Sequence, residues 1–232
     1  MDLGLKDRVA LVMASSQGLG KASARSLARE GVNLAICARR EAPLQDTKQQ
    51  IEAESGVRVL AIPADLSRAE DVSRVVRATM DEYGRIDVLV TNSGPPAGGD
   101  LLALADEVWQ RAFDNQMMSV VRICRQVVPI MRAQKWGRIL HITSTSIKQP
   151  LGQLMISSAS RMGLAGLSKI MANQYAADNV LSHVLCPGPF LTEAEVSFFD
   201  RMAEEKGITA EEAQRSWLTD IPMKRIGDPQ EF

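Results

Sequence analysis

The stretch that most constrains this chain is Arg8 to Gly20, RVALVMASSQGLG. Val9, Ala10, Leu11, Val12 and Met13 form an unbroken apolar run, the pattern of a short strand buried on both faces. The run gives way to Ala14-Ser15-Ser16-Gln17, then to Gly18-Leu19-Gly20, and a helical pattern continues to Glu30. A strand, a glycine turn and a helix in that order aim a helix N-terminus at a phosphate. The unpaired backbone N–H groups and the positive dipole end face the anion, and glycine lets the backbone come close to it. Ala14, Ser16, Gln17, Gly18, Leu19 and Gly20 are therefore candidate contacts to a phosphate-bearing nucleotide.

Further apolar runs alternate with helical stretches along the chain, the signature of a parallel sheet covered on both faces. Strands are expected at 9–13, 33–37, 57–62, 86–91, 138–143 and 181–186, with helices near 18–30, 42–54, 68–83, 108–133 and 157–177. The fold class is α/β, a Rossmann-type doubly wound sheet, and 232 residues suffice for one such domain over 1–232. The net charge of −1 gives no reason to expect nucleic acid or a membrane surface as partner. No apolar run reaches membrane-spanning length, and MDLGLKDRVALV lacks the layout of a signal peptide. Cys37, Cys124 and Cys186 are far apart in apolar surroundings, so free thiols in a cytoplasmic protein are expected.

The strand C-terminal ends carry the other candidates, because an open α/β sheet binds its ligand there. After the second strand, an acid would hold a ribose 2′-OH, whereas an arginine accommodates a 2′-phosphate. Here Ala38 is followed by Arg39 and Arg40. Cations are disfavoured at a helix N-terminus unless an anion accompanies them, so NADP(H) is expected over NAD. The third strand ends at Asp65-Leu66 and the fourth at Asn92-Ser93-Gly94. Asp65 is placed to accept from an adenine amino group, to cap the following helix, or both. Asn92, Ser93 and Gly94 form a small turn able to pass beneath a flat nucleotide.

Taken together, these motifs resemble the short-chain dehydrogenase/reductase family, and within it the β-ketoacyl-acyl-carrier-protein reductase-like branch. The family's T-G-x-x-x-G-x-G appears as Met13-Ala14-Ser15-Ser16-Gln17-Gly18-Leu19-Gly20, and its N-N-A-G as Asn92-Ser93-Gly94-Pro95. Its P-G-x-x-x-T element is intact as Pro187-Gly188-Pro189-Phe190-Leu191-Thr192, which the resemblance sets beside the nicotinamide. It also implies that the segment 192–218 is a substrate lid, that the chain is a homodimer or homotetramer, and that a small carbonyl or acyl compound is the substrate. The family continues for one more helix and strand, so a fold missing both is expected here.

The family's chemistry uses Asn, Ser, Tyr and Lys. By this resemblance Asn115 takes the place of the asparagine and Ser144 that of the serine. The Y-x-x-x-K pair should begin thirteen residues after Ser144, where Ser157-Ser158-Ala159-Ser160-Arg161 stands instead. Tyr83 and Tyr175 are the only tyrosines, and neither has a basic residue four positions on. A phenol near a cation can be drawn toward neutrality, whereas a serine hydroxyl is a far weaker acid with a shorter reach. Ser157 and Arg161 still share a helix face, and a guanidinium there can hold a ribose or an anionic substrate. Losing a positioned general acid costs about 10²–10⁴ in rate. His141, His183 and Lys148 are candidate substitutes, the two histidines being expected in structural places. No metal-ligand spacing appears. Three functions are compatible with this: an NADP-dependent carbonyl oxidoreductase with altered proton transfer, a catalytically silent NADP(H)-binding homologue, and a cofactor-free lyase.

Overall fold

A computed structural model describes residues 1–232, the side chain of Gln153 aside. Six strands form one wholly parallel sheet in the order β3-β2-β1-β4-β5-β6. They are β1 (Val9–Met13), β2 (Asn33–Ala38), β3 (Val59–Pro63), β4 (Val88–Thr91), β5 (Gly137–Ile142) and β6 (Val180–Leu185). The order reverses between β1 and β4, and at that switch point the strand ends leave a crevice for a ligand. The central strands are uniformly apolar because helices cover both faces. One layer packs Leu11, Met13, Leu89 and Ile139 under α3 (Ala69–Tyr83) and α5 (Ser119–Ala133). The other packs Val12, Leu34, Ile36 and Val90 under α1 (Gly18–Arg29) and α2 (Glu41–Ser55).

Strand and helix bounds agree with the sequence expectation to within two residues, with one instructive exception. The helical stretch over 108–133 is not uniform: α4 (Asp106–Phe113) runs through a π-helical turn, Asp114–Met118, into α5. The wider turn frees a backbone carbonyl from its usual partner, and Ser119 Oγ donates to Asn115 O (2.6 Å) in compensation. Ser157–Arg161 lies in α6 (Met155–Tyr175). Beyond β6, α7 (Glu193–Lys206) and α8 (Ala210–Leu218) pack on one another through Phe198, Phe199, Met202 and Trp217. Among the described residues no helix is long and apolar enough to cross a membrane.

At the opposite, N-terminal edge of the sheet, Asp87 is buried. It accepts from Val9 N (2.9 Å), Arg8 Nη1 (3.0 Å) and Arg85 Nε and Nη2 (2.7 and 2.6 Å). These charge-assisted bonds outweigh burial and hold its carboxyl below the usual range. The cluster ties β1 to β4 at the end remote from the crevice.

Candidate functional site

The glycine turn is shaped by contacts that leave little choice of residue. A side chain on Gly20 would collide with Ala14 O and come within 2.8 Å of Asn92 Nδ2. Gly18 has φ +57°, and Thr192 Cγ2 lies 3.4 Å from where its side chain would begin. Ala14 also adopts a left-handed conformation, φ +47°, which is strained for any residue with a Cβ. Ser15, which sequence reasoning passed over, is buried and ties the turn to β2. It donates to Val12 O (2.9 Å) and accepts from Cys37 N (3.1 Å). Thr47 Oγ1 donates to Ser16 O (3.1 Å), so α2 holds the turn from outside. No side chain caps the N-terminus of α1, and its first N–H groups remain free for an anion.

At the end of β2, Arg39 and Arg40 are both exposed, and Arg40 Nη2 donates to Gln17 Oε1 (2.5 Å). Arg39 lines a cleft of about 350 Å³ together with Pro63, Ala64, Asp65 and Asp71. Asp65 does not cap α3. Its Oδ1 closes a turn by accepting from Ser67 N (3.0 Å) and Oγ (2.8 Å), and Asp71 Oδ2 accepts from Asp65 N (2.7 Å). Leu66 packs against the core.

The Asn92-Ser93-Gly94 loop is fastened residue by residue. Asn92 Nδ2 donates to Ala14 O (3.3 Å), Arg161 Nη2 donates to Ser93 O (3.4 Å), and Gln116 Nε2 donates to Gly94 O (3.3 Å). The last contact brings a correction. Asn115 has an exposed side chain, whereas Gln116 is buried, accepts from Ser160 Oγ, and is the residue of the π-helical turn that joins the Gly94 loop to α6. Adjacent helical residues face different ways. The buried row Val120, Ile123 and Val127, read backward at helical spacing, arrives at 116 rather than 115, and that signal was present in the sequence.

Ser144 and Ser157 are alike in their bonding. Ser144 Oγ accepts from Ser146 N (3.1 Å), and Ser157 Oγ accepts from Arg161 Nε (3.1 Å). Neither hydroxyl donates to any described residue, so both O–H groups are free to act as donors. Arg161 is buried beneath the loop, giving further bonds to Ile142 O and Thr143 O (3.2 Å each). Burial lowers its pKa to about 10. Thr145 N donates to Pro187 O (2.9 Å), which draws the Pro187-Gly188 segment against the Ser144 turn. Thr192 ends that segment by capping α7, accepting from Glu195 N (3.3 Å).

None of the substitutes for the missing phenol is well placed. His141 is fully buried between Thr91 Oγ1 (2.8 Å) and Ser182 Oγ (3.2 Å), and desolvation lowers its pKa to about 4. His183 is exposed on the edge strand β6, and Lys148 is exposed. Tyr83 donates to Leu34 O (3.0 Å) at the remote end of β2, and burial pushes its hydroxyl up to about 12. Tyr175, at the C-terminal end of α6, lies under the Arg132 guanidinium. Among the described residues no cluster of His, Cys, Asp and Glu has the arrangement of a metal site.

The sequence profile of the family described as short chain dehydrogenase matches residues 8–203. A 3-oxoacyl-[acyl-carrier-protein] reductase of Synechocystis sp. is 30% identical over 227 residues, 98% of this chain and 86% of that protein. The L-sorbose reductase of Gluconobacter frateurii, solved with NADPH and L-sorbose, superposes with a TM-score of 0.94 at 31% identity. That alignment covers 100% of this chain and 88% of the other. A single-residue variant of actinorhodin polyketide ketoreductase, solved with NADPH, gives 0.92 at 31%, over 97% and 87%.

Proposed function

The chain belongs to the short-chain dehydrogenase family, and from that premise we propose that it is an NADP(H)-dependent oxidoreductase acting on a carbonyl or alcohol, with a rearranged route for the proton. The residues present suit the nucleotide. No side chain caps the N-terminus of α1, and the cleft beside Arg39 has room at the adenosine end. Arg39 and Arg40, with no acid at the end of β2, favour a 2′-phosphate. The relatives solved with NADPH support the same choice. Bound there, a reduced nicotinamide supplies hydride to a carbonyl carbon.

The observation that carries the reading is the pair of uncommitted hydroxyls. Ser144 and Ser157 each accept one protein N–H and each retain an O–H with no acceptor among the described residues. Two such donors converging on one substrate oxygen stabilise the negative charge that grows there, as in an oxyanion hole. Ser157 passes its proton to that oxygen and recovers one from water, with the Arg161 guanidinium polarising its Oγ. Arg161 itself keeps its charge. Gln116 and Arg161 hold the loop on which the nucleotide rests. The segment 192–218 serves as the lid, the substrate is a small carbonyl or acyl compound of the 3-oxoacyl type, and the protein works in the cytoplasm as a homo-oligomer.

The test is NADPH oxidation against a broad carbonyl panel, with Ser144→Ala as the control. Removing one oxyanion donor is expected to lower turnover by about 10²-fold with NADPH affinity unchanged. Binding of NADPH without turnover of any carbonyl would assign the chain to the silent alternative instead.

A further inference from the structure

Arg161 is only 7% exposed, and every partner it has is neutral. Its five N–H groups meet Ser157 Oγ, Ile142 O, Thr143 O and Ser93 O, which leaves one hydrogen on Nη2 without an acceptor. No carboxylate among the described residues pairs with it, and burial is the sole influence on its pKa. By contrast, the buried Asp87 has two arginines against it. The acids around the cleft are engaged or placed elsewhere. Asp65 and Asp71 close the turn at the adenosine end, and Glu193 is exposed near Gly18. The half-buried Glu195, whose carboxyl is raised to about 7 by desolvation, forms no ion pair with Arg161. A buried cation without a counter-charge is costly unless something brings one.

We propose that the substrate brings it: this cleft takes a carbonyl compound bearing its own carboxylate, a 2-oxo or 3-oxo acid, whose anion is received by Arg161. The inference rests on the reading of the cleft as a reductase site. Ser157 stands between the two functions, since its oxygen already accepts from Arg161 while its hydrogen is free for the reacting carbonyl. A carboxylate met by the guanidinium is therefore separated from that carbonyl by a short spacer at most. Two further hydroxyls, Ser146 Oγ and Ser158 Oγ, are buried without a partner among the described residues, in the same two segments as Ser144 and Ser157. The nucleotide does not meet this need. The glycine turn and the Arg39–Arg40 pair account for its phosphates, and its riboses carry no charge.

The experiment compares acids with their methyl esters on the intact 232-residue chain saturated with NADP⁺, which cannot reduce them. Pyruvate and methyl pyruvate, then acetoacetate and methyl acetoacetate, are titrated by calorimetry. At least one acid is expected to bind about tenfold or more tightly than its ester, the scale of one charge-assisted hydrogen bond. Arg161→Lys should keep part of that preference and Arg161→Met should abolish it. The wild-type comparison decides even if Arg161→Met does not fold. Equal binding of acid and ester, or no binding of either acid, overturns the proposal. Preferential binding of acids with no NADPH oxidation leaves it standing and removes the reductase reading. Equal turnover of neutral and acidic carbonyls does the reverse.

Discussion

Ala14 shows how much one methyl group can weigh at a tight turn. Its φ of +47° lies where a Cβ crowds the backbone, at a cost on the order of 1–2 kcal/mol. Ala14→Gly relieves that strain. It also costs roughly 0.4–1 kcal/mol through the greater freedom of the unfolded chain, so the expected net gain is about 0.8 kcal/mol. Urea denaturation measures it, and a lower midpoint for the variant would show the turn to be relaxed. The absence of the phenol is likewise plain at residue scale, because identity at position 157 needs only the chain register. What replaces it is not. The roles of Ser157 and Arg161 depend on which atoms surround them, and no periodicity names Ile142 O, Thr143 O and Ser93 O as the guanidinium's partners.

Among the elements, β4, β5, β6 and α6 are joined by a buried polar chain, Thr91–His141–Ser182–Ser168. His141 is held neutral there, its pKa lowered from 6.5 to about 4 by desolvation. Between those values the unfolded chain binds a proton that the folded chain refuses, so stability falls as pH falls. The loss attributable to His141 reaches about 3 kcal/mol by the lower limit. Glu195 acts in the opposite sense: its raised pKa stabilises the folded form at low pH and that contribution is lost as pH rises through about 7. Comparing His141→Asn with the parent isolates the histidine. The variant's stability should decline less between pH 6.5 and 4, and parallel curves would mean that His141 titrates normally. The element also explains why the segment 108–133 was only half legible. Its apolar row predicts the buried side, but the π-helical turn that delivers Gln116 packs against α6 and the Gly94 loop, beyond any local preference.

On the scale of the molecule, the strand order places the glycine turn, the Asn92 loop, the Ser144 turn and the Pro187 segment along one edge of the sheet. Met162 and Ile170 are exposed on α6, and Phe113 at the end of α4. Exposed apolar residues on neighbouring helices support the proposed homo-oligomer. Sedimentation is expected to give a dimer or tetramer, and a monomer across the micromolar range would contradict it. Local information was enough for the strands, the glycine turn, the helices and the missing Tyr-Lys pair, because periodicity, turn chemistry and residue identity are properties of a few adjacent positions. Two things were decided only when distant segments met: Gln116 is tied to the Gly94 loop and to Ser160, and Arg161 is stripped of water without receiving a counter-charge. Burial and pairing are set by the surroundings that folding creates, and those surroundings come from residues as far apart in the chain as Ser93, Thr143 and Arg161.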